Sequence, residues 1–484
     1  MSEIRNLNPT LVWELFDEIT RVPRPSKKEE KIIAYLIDFA ERHGLEYKRD
    51  EVGNVVMRKP ATAGCESLPT VVLQSHMDMV CEKNSDVEHN FELDPIRTRI
   101  VDGWVMAEGT TLGADCGIGI AAALAVLIDP TIEHGPLEAL FTIDEETGLT
   151  GAFCLADDMI SGKYLINLDS EDEGELFIGC AGGVDTLATF HYQPEQAASD
   201  YDYYRVEVAG LCGGHSGDDI DKGRANSNKL LARMLLESEL LYDLRVSCFD
   251  GGNLRNAIPR EAYAVVGVPS AKKHQFEVYF EEFKTLATDE FHITEPNIRF
   301  TIAECEQPQT LIDAKTQHAL LRALVGVPNG VIAMSAAMPG LVETSTNLAS
   351  VKMPGDGSIV VTTSQRSSVG HAKLYAMRQV ESVFLLAGAS VEHSDGYPGW
   401  APNPESKLLK WCEESYVELF GSQPKVRAIH AGLECGLFLE KYPQLEMVSF
   451  GPTLRGVHSP DERIEISTVD KFWRLLLDVL KRVK

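Results

Sequence analysis

This 484-residue chain lacks the cysteine spacing that staples or metallates a small fold: its ten cysteines are scattered without one C-x-x-C pair. Neither a zinc ribbon nor a disulfide framework is suggested by that spacing, and reduced thiols in the cytoplasm are the expectation. Long apolar runs are missing too. The longest, Gly117 to Ile128, is far short of the ~20 residues a membrane helix needs, and the opening MSEIRNLNPT has no apolar signal core. Basic residues are few: 45 Lys and Arg stand against 73 Asp and Glu, for a net charge of -28. That field repels phosphate backbones and anionic lipid, so neither nucleic acid nor a membrane is an expected partner. A dinucleotide fingerprint is also missing, because Gly113, Gly117 and Gly119 form no G-x-G-x-x-G after a strand. The acidic run Asp169–Glu175 lacks the glycine-centred loop of a calcium hand.

What remains is a globular composition, 44% hydrophobic and 24% charged, at a length that suits two or three domains. Leu11, Val12, Leu15, Phe16 and Ile19, then Ile32, Ile33, Leu36, Ile37 and Ala40, recur at helical spacing. VVLQ at 71–74, LEALFTI at 137–143 and YLINL at 164–168 read as buried strands, with a helix over Gly117–Leu127 between two of them. Strands alternating with helices predict an α/β fold: a mixed, largely parallel sheet flanked by helices. From about 186 to 392 the pattern changes to α+β, with YYRVEVAG, AYAVVGV and SIVVTTS as strands and a suggestion of two similar βαββαβ-like halves. The α/β style then returns, closing on a helix for which Ser467 and Asp470 make a capping box. The expected organisation is a discontinuous domain, 1–185 and 393–484, around an inserted α+β domain, 186–392.

Chemistry concentrates where strands end, the edge at which open α/β sheets bind ligands. VVLQ runs into Ser75-His76-Met77-Asp78, LEALFTI into Asp144-Glu145-Glu146, and YLINL into Asp169-Ser170. GTTLGAD ends at Asp115 before the Gly117 helix, and MVSF leads into GPTLRGVHSPDE with His458. His76 and Asp78 share one face of an extended segment, so the carboxylate can hold the imidazole in the tautomer a metal needs. Adjacent glutamates after a buried strand can divide labour, one as ligand and its neighbour as general base. Each pair alone is weak. Together, oxygen and nitrogen donors without thiolate suit zinc, manganese or cobalt with open positions.

SHMDMV, GTTLGADCGIG, IDEETG, LINLDSEDEGE, GGHSG, RNAIPRE, HAGLECG and GPTLRGVHSPDE follow one another as in a single family. From end to end the chain resembles the bacterial aminoacyl-histidine dipeptidases (Xaa-His dipeptidase, peptidase D, carnosinase). These belong with carboxypeptidase G and the aminoacylases among the dizinc exopeptidases. The resemblance implies a zinc-peptidase catalytic domain carrying an inserted lid. It implies two Zn2+ per chain, with Co2+ or Mn2+ as substitutes, and hydrolysis of small peptides, preferentially Xaa-His such as β-alanyl-histidine. It also leans toward a homodimer and implies a hinge near 186 and 392.

Carried onto matching positions, the resemblance makes Asp115 the bridging ligand, His76 and Asp169 the rest of one metal site, and Glu146 and His458 the rest of the other. Glu145 becomes the general base acting on a zinc-bridged hydroxide, and Asp78 orients His76. His215 of GGHSG assists the oxyanion, either within one chain or across a dimer. Asn256 and Arg366 are candidates for the substrate's terminal carboxylate, which arginine's planar fork suits, with Arg255 and Arg260 as neighbours to be told apart from it. Glu434 either receives the substrate's ammonium or forms a structural salt bridge. One position departs from the pattern: Cys116 stands where relatives carry Asp or Asn, which leaves open the cis peptide expected at that bond. An aminoacylase or tripeptidase of the same group is the alternative; a dead binding homologue is disfavoured because all five ligands, Asp78 and Glu145 are present.

Overall fold

The computed structural model describes residues 3–484, so Met1 and Ser2 of the opening segment lie outside it. The chain divides into two compact units. The first takes the residues up to Gly179 with Pro402–Ala428 and Glu434–Lys484, the second Cys180–Ala401 with Ile429–Leu433.

The first unit is built on an eight-stranded sheet. Its order is Glu46–Arg49, Val55–Lys59, Leu137–Thr142, Val71–His76, Tyr164–Asn167, Glu446–Ser449, Glu175–Cys180, Lys425–Ile429. The four middle strands, from Leu137–Thr142 to Glu446–Ser449, run parallel. Val55–Lys59 and Glu175–Cys180 join antiparallel on either side. Every residue of Leu137–Thr142, Val71–His76 and Tyr164–Asn167 is buried, as near-continuous apolar strands covered on both faces must be. The helix Ala114–Ile128 is buried almost all round, its Gly and Ala residues allowing close approach. A separate four-stranded sheet pairs Arg463–Glu465 with Trp104–Ala107 and Leu454–Arg455, so the loop bearing His458 is a hairpin connection.

The last helix, Ile466–Arg482, corrects one reading. Its N-cap is Glu465, with no side-chain cap bond; the Ser467 hydroxyl donates to Glu465 Oε1 at 2.8 Å instead. Pairing of Arg463–Glu465 in the small sheet fixes where the chain turns helical, ahead of the local Ser-x-x-Asp signal.

The second unit holds a nine-stranded antiparallel sheet. Strand Tyr201–Ala209, helix Ser227–Tyr242, strands Arg245–Gly251 and Ala262–Pro269, helix Lys273–Phe291 and strand Arg299–Glu304 form one βαββαβ half. Gly182–His191, helix Ala314–Gly326, Val342–Lys352, Ser358–Ser367, helix Gly370–Leu386 and Ser390–His393 form the other. Each half has the spatial order fourth, first, third, second. They meet edge to edge at the pairing Gly251–Val351, and one core that includes Val206, Phe249, Phe276, Phe280, Val361 and Phe384 runs under both.

Candidate active site

In the first unit the polar residues gather at the carboxyl edge of the parallel strands. His76 is the last residue of its strand, and Met77 N–H, donating to Thr142 O at 2.8 Å, ties the next step to the neighbouring strand. Glu145 and Glu146 open a short helical turn after Asp144, which sits in the left-handed region at φ 48°. Asp169 follows Tyr164–Asn167, its N–H turned toward Asn167 Oδ1 at 3.4 Å. Asp115 lies in the first turn of Ala114–Ile128 but is itself non-helical (φ -80°, ψ 114°), and the Asp115–Cys116 peptide is cis. His458 adopts φ 61°, a conformation uncommon for a residue with a Cβ and held here by the hairpin around it.

Asp115 is the centre of the arrangement. Its Oδ1 stands 3.1 Å from His76 Nε2, which also lies 3.3 Å from Asp169 Oδ1. Its Oδ2 stands 3.4 Å from His458 Nε2, which lies 3.0 Å from Glu146 Oε2. One carboxylate thus faces two imidazole–carboxylate pairs with different oxygens. Behind His76, Nδ1 is 3.3 Å from Asp78 Oδ1, so Nε2 is the nitrogen turned to the cluster. Asp78 also accepts from the N–H groups of Glu145 and Glu146 at 3.1 and 3.3 Å and from Ser26 Oγ at 2.7 Å. Against its burial, His76 first and then Ser26 and the Glu145 N–H hold Asp78 below the usual carboxylate range.

The electrostatics are those of crowded negative charge. Burial, opposed by His76 and reinforced by Asp115, pushes Asp169 up to about 7. Burial also raises Glu145 well above the ordinary glutamate value, with Asp169, Glu434 and Glu146 adding to it. Hydrogen bonds that His458 donates to the Asp115 and Glu146 carboxylates raise it to about 11. Glu146 Oε1 is buried without a hydrogen-bond partner, an arrangement that costs free energy unless a cation or donor completes it. His76 with Asp169, and Asp115 with Glu146 and His458, fall into groups whose ligand atoms lie within 4.8 Å of one another. Such nitrogen and oxygen donors fit two divalent cations sharing Asp115. Cys116 falls within the first group, but it is buried and its thiol points to Leu168 O at 3.3 Å.

Glu434 is buried beside this cluster at the start of Glu434–Lys441. Its Oε2 accepts from Gln74 Nε2 at 2.7 Å and Thr142 Oγ1 at 3.0 Å, while Oε1 has no partner and burial pushes the group up to about 8. Among the described residues it forms no ion pair, so the structural salt bridge is not the one found. Two further residues escaped the sequence reading. Arg24, buried, donates to the carbonyls of Met77, Asp78 and Gly113. Glu462, also buried, accepts from the backbone N–H groups of Leu112–Asp115. Only the HSPDE run near His458 hints at Glu462; nothing near Arg24 hints at its role.

His215, Asn256 and Arg366 belong to the second unit. Gly214–His215 pairs with Ala257–Ile258, and Ser216 N–H donates to Asn256 O at 2.8 Å, which brings GGHSG and RNAIP together. His215 Nδ1 is 3.2 Å from Asp218 Oδ2. Gly217 is required by close packing, since a Cβ there would stand 2.1 Å from His430 O. Arg366 is buried on Ser358–Ser367, donates to Tyr397 OH at 2.9 Å, and leaves Nε without a partner. Arg255 pairs with Asp185 at 3.1 Å, and Arg260 donates to Leu211 O at 3.1 Å, so both neighbouring guanidinium groups are engaged elsewhere. His430, buried with Nε2 2.7 Å from Ser345 Oγ, is held low, at about 4, by burial and by Arg366.

Comparison with known proteins agrees with this geometry. Residues 72–482 match the model of peptidase family M20/M25/M40. The cytosol non-specific dipeptidase of Escherichia coli (strain K12) is 42% identical over 483 residues, covering 100% of this chain and 99% of that one. The crystal structure of aminoacylhistidine dipeptidase from Vibrio alginolyticus superposes with a TM-score of 0.95 at 42% identity, covering 100% of this chain and 98% of that one. Aminopeptidase PepT from Bacillus cereus shares the fold alone, with a TM-score of 0.57 at 17% identity over 99% of both chains.

Proposed function

Because the chain belongs to peptidase family M20/M25/M40, we propose that it is a dipeptidase, cleaving the amide bond of small peptides, Xaa-His among them, with two divalent cations, Zn2+ first. The observation that carries the reading is Asp115, whose two oxygens face His76 with Asp169 on one side and His458 with Glu146 on the other. His76 and Asp169 would hold one cation, Glu146 and His458 the other, and Asp115 both. A cation pair in such a site supplies Lewis acidity, polarising the scissile carbonyl and bringing the pKa of a water toward ~7.

The chain's own groups do the rest. Asp78 holds His76 by Nδ1 and leaves the Nε2 lone pair to the site. The same carboxylate fixes the backbone of Glu145, whose side chain takes the proton of the attacking water and returns it to the departing amine. His215 donates to the oxyanion as it forms. Arg366, with its free Nε, and Asn256 grip the terminal carboxylate; Glu434, with its free Oε1, receives the substrate's ammonium. A substrate recognised by both its free amine and its free carboxylate is a small unblocked peptide. No helix among the described residues is long and apolar enough to cross a membrane, and with the cytosol dipeptidase as relative the cytoplasm is the proposed location. A homodimer is the proposed assembly.

The test compares β-alanyl-histidine, alanyl-alanine and an N-acetyl amino acid, after chelation and after restoring Zn2+. Zinc-restored cleavage of the dipeptides, with the acetylated compound untouched, is expected. Cleavage of the acetylated compound alone would keep the metal chemistry and discard the dipeptidase assignment.

A further inference from the structure

Two buried charges behind the site have no part in the reaction just described, and neither has a side chain of opposite charge as hydrogen-bond partner. Arg24 donates to Met77 O at 3.1 Å, to Asp78 O at 2.6 Å and, through its other terminal nitrogen, to Gly113 O. Glu462 Oε2 accepts from Leu112 and Gly113 N–H at 2.7 and 2.9 Å, and Oε1 from Ala114 and Asp115 N–H at 2.7 and 3.4 Å. One carboxylate from far along the chain thus accepts from four consecutive N–H groups that lead into Ala114–Ile128, ahead of the point where the backbone turns regularly helical. Gly113 is held from both sides, by its carbonyl on Arg24 and its N–H on Glu462. Its φ of +68° suits glycine, and a Cβ there would stand 2.6 Å from Arg24 Nη2.

We propose that Arg24 and Glu462 are positioning residues that clamp the Leu112–Asp115 backbone between them and so fix Asp115 relative to the loop of His76 and Asp78. This rests on the reading of Asp115 as the ligand shared by two cations. A shared carboxylate must offer one oxygen to each side with a tolerance of about 0.5 Å. Arg24 ties its segment directly to Met77 and Asp78, and Glu462 lies four residues beyond His458 on the same hairpin. The clamp therefore joins the loops that carry both halves of the site. Packing alone would need neither charge, and taking either out of water is costly without the backbone partners found here.

The test measures Zn2+ stoichiometry and affinity by competition with a chromogenic chelator, together with melting temperature and kcat and KM, for wild type, Glu462→Gln and Arg24→Lys. Loss of an outer-shell partner of this kind weakens metal binding about 10- to 100-fold. Glu462→Gln is expected to weaken at least one cation to that degree and to lower kcat while leaving KM near wild type. Arg24→Lys, which keeps the charge but gathers its donors on a single nitrogen, should move the same readouts less. Variants with lower melting temperature but wild-type affinity for both cations would reduce the pair to structural residues and overturn the proposal. Hydrogen exchange in wild type carries the test even where a variant does not fold. The amides of Leu112–Asp115 should be protected in the metal-free protein, and exchange that slows only once Zn2+ is added would refute a preformed clamp. Wild type that fails to bind two cations would instead refute the shared-ligand reading.

Discussion

Replacing Glu145 by glutamine tests the division of labour between adjacent glutamates. The amide is isosteric, and the backbone bond from residue 145 to Asp78 Oδ1 survives, so the turn carrying Glu146 stays in place. What disappears is the proton acceptor. General base catalysis contributes about 10²–10⁴-fold, or roughly 2.7–5.4 kcal/mol of barrier, and kcat on a dipeptide should fall by that factor with two zinc ions still bound. The structure adds an effect of opposite sign on stability. Burial and the charges of Asp169, Glu434 and Glu146 raise Glu145 above its unfolded value. Its contribution is therefore fully present below the unfolded pKa and is lost as pH rises through the folded one. Metal-free Glu145→Gln should accordingly be more stable than metal-free wild type at pH 8, with the gap closing toward about pH 4.5. Steady-state kinetics, zinc content by atomic emission and melting curves of the chelated proteins read all three. Turnover within tenfold of wild type with zinc retained would refute the base assignment. Zinc falling to one per chain would make Glu145 a ligand.

Two more predictions use the neighbouring groups. Glu434, pushed up to about 8, likewise loses its contribution between the unfolded glutamate pKa and about 8. Glu434→Gln should flatten the decline of metal-free melting temperature between pH 5 and 8 and raise KM for dipeptides; an unchanged pH slope would remove the buried-carboxylate account. Arg366→Met should cost about 1.5–3 kcal/mol of binding, seen as a KM at least tenfold higher for a dipeptide with a free carboxylate. Equal losses on that dipeptide and its C-terminal amide would take Arg366 out of carboxylate recognition.

The fold class and the sheet edge at which His76, Asp169 and the Glu145–Glu146 turn gather were legible because both follow from local pattern. VVLQSH, LEALFT and YLIN are apolar enough that only central parallel strands accommodate them, and a parallel strand must deliver the polar residues after it to one edge. The motifs from SHMDMV to GPTLRGVHSPDE carried the family. Ser467 misled because a capping signal is local, whereas the start of the final helix is set by pairing with Trp104–Ala107, some 360 residues away. Only the folded chain decided which oxygen of Asp115 faces which histidine and that Oε1 of Glu434 is left free. It alone brought Arg24 to Gly113 across 89 residues and Glu462 to Leu112 across 350. Those partners are backbone groups, which every residue carries alike, so a side chain bound to them leaves no matching residue type for the sequence to reveal.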